Sequence, residues 1–176
     1  MGDYDCKDAG VVFTDKDMSD YFAGFVAGLT GKDHKATYES CLKVSTQFEM
    51  DICTVEADFK TKDNQKVLEA VQKILADVPE VKGWLDKCPD TSADPTAQDD
   101  IVVLENYWKF WKSQGEMKVY QTAYKNIIGH MADIKAQVAV LEDAYHKADY
   151  YGTGKAAFEI AKIALPVQTS EELFLQ

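Results

Sequence analysis

From Tyr120 to Ala148 the side chains of Tyr120, Tyr124, Ile127, Met131, Ile134, Val138, Leu141, Tyr145 and Ala148 succeed one another at intervals of three or four residues. That spacing puts them on one face of an α-helix. A stripe of this length specifies a helix of about 30 residues, near 45 Å at the usual rise. An apolar seam so long has to be covered by other helices, and the rest of the chain supplies them. Tyr38, Cys41, Ser45, Phe48, Ile52, Val55 and Phe59 repeat the same three-four alternation, and Val67, Leu68, Val71, Ile74 and Leu75 form a third face. No stretch alternates strictly between apolar and polar residues, the mark of a half-buried strand.

The local signals set the expected boundaries. Residues 1–17 read as an irregular arm, Ser19 as the cap of a helix running to Leu29, and Gly31 with Lys32 and Asp33 as its stop and turn. Pro79 is expected to end the third helix near Val78, with a short turn over 81–85. Residues 89–100 (PDTSADPTAQDD) read as the main surface loop, and Asp99 or Asp100 as the cap of a helix striped by Ile101, Leu104, Trp108 and Trp111. Gly115 then breaks the phase. Gly152 and Gly154 are expected to interrupt the chain before a last helix over 155–165, which Pro166 ends; residues 166–176 form a tail. The expected fold is all-α, an antiparallel bundle of about five to six helices in one domain spanning 1–176. At 176 residues and 46% hydrophobic composition, the chain is large enough to bury its own core.

Thirty acidic against 19 basic residues give a formal net charge of −11. Such a field repels phosphate backbones and anionic membranes, which argues against nucleic acid as a partner. The most apolar run, Tyr21 to Leu29, falls well short of the 18 or more residues a membrane span needs.

The four cysteines, Cys6, Cys41, Cys53 and Cys88, include no CxxC pair and none lies near a histidine, so zinc ligation fits them poorly. An even number suggests two disulfides and an oxidising, secretory or extracellular setting, with any signal peptide already removed. Four buried thiols in a cytoplasmic protein remain the alternative. Chain reversals at Lys32–Asp33 and Lys62–Asp63 would bring Cys6 level with Cys53 and Cys41 level with Cys88. Joining Cys6 to Cys41 instead would leave a mismatch of about 28 Å, far beyond disulfide reach. The expected staples are therefore Cys6 with Cys53 and Cys41 with Cys88.

No catalytic residue, metal site or cofactor is expected. His34 sits among Lys32, Asp33 and Lys35 and reads as a solvated turn residue. His130 with Asp133, and His146 with Glu142, share helical faces, but the two histidines are about 24 Å apart along one helix. Asp90, Asp94, Asp99 and Asp100 lack the alternation and central glycine of a calcium loop. The chain has no GxSxG motif and no glycine-rich phosphate loop.

Two features point outward. In the block Asn106–Lys112 (NYWKFWK), Trp108 and Trp111 share the core stripe, leaving Tyr107 and Phe110 as candidate interface residues. The tail ends in Leu173, Phe174 and Leu175, an apolar tip that has to dock on its own bundle or on a neighbour. Small-residue faces, Ala23, Gly24, Ala27 and Gly28 early and Gly154, Ala157 and Ala161 late, permit close helix approach.

The stretch YFAGFVAGL, the cysteines and the closing YYGTGKAAFEIAKIAL resemble small secreted helical proteins of ciliated protists. That resemblance covers about 25 residues, carries no site residues, and implies a secreted helical protein. The leading expectation is a secreted structural or interaction subunit that associates with itself through its apolar helix faces and tail. The first alternative is a carrier of a lipid or other apolar small molecule in a bundle cavity. The second is an enzyme or metal-binding protein using the surroundings of His130 or His146.

Overall fold

Thr14 and Asp17 open the first helix with a reciprocal cap. The Asp17 backbone N–H donates to Thr14 Oγ1 (3.1 Å) and the Thr14 N–H donates to Asp17 Oδ2 (2.9 Å). Helix α1, Asp15–Thr30, thus begins four residues before Ser19, inside the expected irregular arm, and Ser19 is a buried helical residue. It ends on Gly31, whose φ of 78° is the left-handed cap glycine adopts without strain. This computed structural model describes residues 13–39, 46–88 and 94–168. The described residues form eight helices and no strand.

The others are α2 (Lys35–Glu39), α3 (Thr46–Lys60), α4 (Asn64–Asp86), α5 (Pro95–Ser113), α6 (Glu116–Gly129), α7 (Met131–His146) and α8 (Tyr150–Ala164). Every residue of α1 from Met18 to Leu29 is buried, so this helix runs through the middle of the molecule. Its main partner is α8, which also packs on α4, α6 and α7; α3 packs on α4 and α7, and α4 on α5 and α6.

Four local expectations are corrected. Helix α4 does not stop at Pro79 but runs through it to Asp86, absorbing the expected turn over 81–85. An internal proline costs about 3 kcal/mol, whereas burying Val81 and Leu85, both 0% exposed, contributes about 1.5–3 kcal/mol each. Continuation wins.

Helix α5 starts at Pro95, its cap being Asp94, which accepts from the Thr96 and Ala97 N–H groups. The second half of the expected 89–100 loop is therefore helical, and Asp99 and Asp100 lie inside the helix.

The expected 30-residue helix is two, α6 and α7, parted at His130 (φ −126°, ψ 27°) directly after Gly129. Glycine weakens the helix there. The seven-residue interval from Ile127 to Ile134 nevertheless keeps both halves in phase, and both residues are fully buried. The break lets α6 face α4 while α7 faces α3.

Gly152 and Gly154 do not interrupt the chain; both lie within α8, where Gly154 faces the backbone of α1. The seam of α3 holds over its described part, with Ile52, Val55 and Phe59 buried. Cys41 and Ser45 lie outside the described residues.

Candidate functional site

Trp111 of α5 is 4% exposed, and its indole Nε1 is buried without a hydrogen-bond partner among the described residues. It forms part of the wall of a half-open groove of about 570 Å³ between α4, α5 and α6. Leu75 and Ala76 of α4, Trp108 of α5 and Val119 of α6 supply the apolar lining, with Gln72, Lys112 and Glu116 as its polar groups. Gly115, at φ 87°, turns the chain between α5 and α6 and also lines the groove. On its other side Trp111 borders a smaller pocket of about 190 Å³, shared with Leu29, Tyr107, Phe110 and Val167. The groove is thus mostly apolar, with few polar groups, as small-molecule sites generally are.

The expected interface residues fare differently. Tyr107 is buried, and its hydroxyl donates to the Leu165 carbonyl at 2.7 Å, fastening α5 to the end of α8. Burial pushes its hydroxyl well above the usual tyrosine range. It is a core residue, because α5 turns Ile101, Leu104, Tyr107 and Trp111 inward and leaves Trp108 only partly buried. Phe110 is partly buried and sits edge-to-face on Trp111 at 4.9 Å. Leu173, Phe174 and Leu175 lie outside the described residues. The exposed apolar side chains of α5 are Val102 and Val103, and those of α6 are Met117, Tyr120 and Ile128.

The structure brings together one polar group that sequence reasoning missed. His34 is 7% exposed rather than solvated, and its Nε2 lies 2.5 Å from Asp100 Oδ2 on α5. Lys32 Nζ approaches the other carboxylate oxygen at 3.5 Å. Beside it, Thr37 donates to Asp94 Oδ2 at 3.2 Å. The hydroxyl of Tyr38 is buried without a partner among the described residues, and burial, then the charges of Asp100 and Asp94, hold it protonated well above the usual tyrosine range. No sequence signal joined residues 66 positions apart.

His130 Nδ1 lies 3.8 Å from Asp133 Oδ2 with both side chains exposed, and His146 is exposed too. Among the described residues no three His, Cys, Asp or Glu side chains gather as metal ligands, and no helix is long and apolar enough to cross a membrane. Cys53 and Cys88 are buried and neither is a free thiol; their expected partners, Cys6 and Cys41, lie outside the described residues. No known protein family matches this chain, and no characterised protein or solved structure is significantly similar to it.

Proposed function

We propose that the chain is a binding protein for a small apolar molecule, held in the groove between α4, α5 and α6. The observation that carries this reading is the groove itself. At about 570 Å³ it falls inside the range of small-ligand sites, and it has an apolar wall of Leu75, Trp108, Trp111 and Val119. A solvent-facing cleft lined this way gains free energy when an apolar ligand displaces its water. Lys112, at the same groove, offers a counter-charge to a carboxylate or similar head group.

Titration with cis-parinaric acid, a fluorescent fatty acid, tests the reading. We expect saturable binding of one molecule per chain, with quenching of tryptophan emission. Ala76→Trp, at an exposed lining position, should fill the groove and weaken binding at least tenfold. Binding that is non-saturable, or equal in the Ala76→Trp variant, would refute it.

Self-association is a second reading, favoured by the exposed row Met117, Tyr120 and Ile128 on α6, where the ring of Tyr120 stacks on the partly buried Tyr124 at 6.1 Å. Leu173, Phe174 and Leu175 are the other candidate contacts of this reading. Light scattering on the same samples decides it, since a single-chain mass at every concentration removes this reading.

We further propose a secreted setting and an antiparallel arrangement stapled by Cys6 with Cys53 and Cys41 with Cys88. Support comes from the burial of Cys53 and Cys88, neither of them a free thiol. A non-reducing peptide map should return those two linked pairs; recovery of Cys6 linked to Cys41 would overturn the arrangement.

A further inference from the structure

We infer that α3 is a pH-sensitive element, seated by a proton held between buried carboxyl groups on its face towards α4 and loosened as the solution turns alkaline. This rests on the surroundings of α3 and not on the groove.

On the face towards α4, Asp51 of α3 meets Asp77 of α4, the two being 7% and 9% exposed. The two carboxyl groups lie within reach of one another across the α3–α4 contact, and they can hydrogen-bond only if one carries a proton. Among the described residues one cation serves the pair: Lys73 Nζ lies 3.1 Å from Asp51 Oδ1. It can balance one negative charge, and a second in so buried a place is costly. Glu80 and the buried Tyr21 of α1 also face this pair, and neither brings positive charge. Burial first, then the hydrogen bond to Asp51 and its charge, push the Asp77 carboxyl up to about 8, with Lys73 opposing.

The face towards α7 adds one further buried acid. Glu56 is 5% exposed and faces Glu142, while Lys60 of α3 itself and His146 offset part of that repulsion. Its carboxyl is raised, mainly by burial. Apolar contact through Ile52, Val55 and Phe59 holds α3 between these two acidic seams.

When α3 opens, water reaches Asp77 and its affinity for the proton falls to that of an ordinary aspartate. The seated state therefore holds the extra proton between about pH 4 and pH 8. Stabilisation of the seated helix is complete below that window, declines through it, and is gone above it. Within the window the opening equilibrium rises up to about tenfold per pH unit, and Glu56 acts in the same direction.

Hydrogen exchange on the full chain, corrected for intrinsic rates, reads this directly. From pH 6 to pH 8 the protection of α3 amides should fall by up to about 100-fold, and α3 should exchange ahead of α1 and α8. Asp77→Asn removes the titrating group and should flatten the dependence; Asp51→Asn removes its partner and serves if the first variant folds poorly. A flat profile in the unmodified chain, a slope in both variants undiminished from that of the unmodified chain, or exchange of α3 in step with α1 and α8 would overturn the proposal.

Discussion

Gly154→Ala should destabilise the protein by about 3 kcal/mol or more, towards and beyond the upper end of ordinary overpacking, and Gly24→Ala should do the same. Both glycines lie where α1 crosses α8. A Cβ on Gly154 would overlap the Tyr21 carbonyl oxygen and come within 3.2 Å of Phe25 N; one on Gly24 would overlap the Tyr151 carbonyl oxygen and come within 2.8 Å of Lys155 N. These obstacles are backbone atoms, so no rotamer change relieves them, and the helices have to separate. Separation also loosens Phe25 against Phe158, whose rings meet at 5.4 Å. The gain in helix propensity from Gly to Ala, about 1 kcal/mol, is too small to compensate. Gly83 provides the control: it is helical too, a Cβ there meets nothing within 4 Å, and Gly83→Ala should stabilise by about 0.5–1 kcal/mol. Urea unfolding midpoints check all three. Because one displacement relieves both clashes, the double variant Gly24→Ala, Gly154→Ala should cost less than the sum of its parts. Additive losses, or a mild effect like that of Gly83→Ala, would mean the helices do not cross this closely.

The two faces of that crossing were legible in the sequence, since small residues at helical spacing on Ala23, Gly24, Ala27 and Gly28 and on Gly154, Ala157 and Ala161 are a local pattern, but their pairing with one another was not. The all-helical architecture was legible for the same reason. What the sequence hid were the places where distant burial overrides a local signal. Pro79 is a strong stop, but the pocket that receives Val81 and Leu85 is built by other helices. Asp94, not Asp99 or Asp100, caps α5, because Pro95 favours a helix start and Asp100 is drawn inward by His34. The row from Tyr120 to Ala148 kept its phase across His130, so its periodicity could not reveal the break there. Trp108 and Trp111 were identified as sharing a face, yet a groove also needs Leu75, Ala76 and Val119 from other helices, and their convergence is a tertiary fact. Likewise, Asp51 and Asp77 are 26 positions apart, and the repulsion between them exists only once α3 lies on α4.

His34→Ala should cost about 3–5 kcal/mol, the penalty for leaving a buried charge without its partner. The side chains of His34 and Asp100 are 7% and 3% exposed, and their contact at 2.5 Å joins the α1–α2 turn to α5. With the imidazole gone, the Asp100 carboxylate keeps only Lys32, 3.5 Å away and itself largely solvated. Asp100→Ala should be milder, because a neutral imidazole tolerates burial better than a carboxylate does. Asp100→Asn, which keeps a hydrogen-bonding group against Nε2, should cost only about 1–2 kcal/mol. The deciding measurement is a double-mutant cycle. Removing Asp100 from the His34→Ala background takes away the stranded charge, so the double variant should be more stable than His34→Ala alone. Additive losses would mean that the two side chains stabilise the fold independently. The consequence reaches the groove, since α5 carries Trp108 and Trp111 and is fixed near its start by Asp100 and near its end by Tyr107 on Leu165. If that anchoring shapes the groove, His34→Ala should weaken cis-parinaric acid binding under conditions where the variant is still folded, although His34 lines neither pocket.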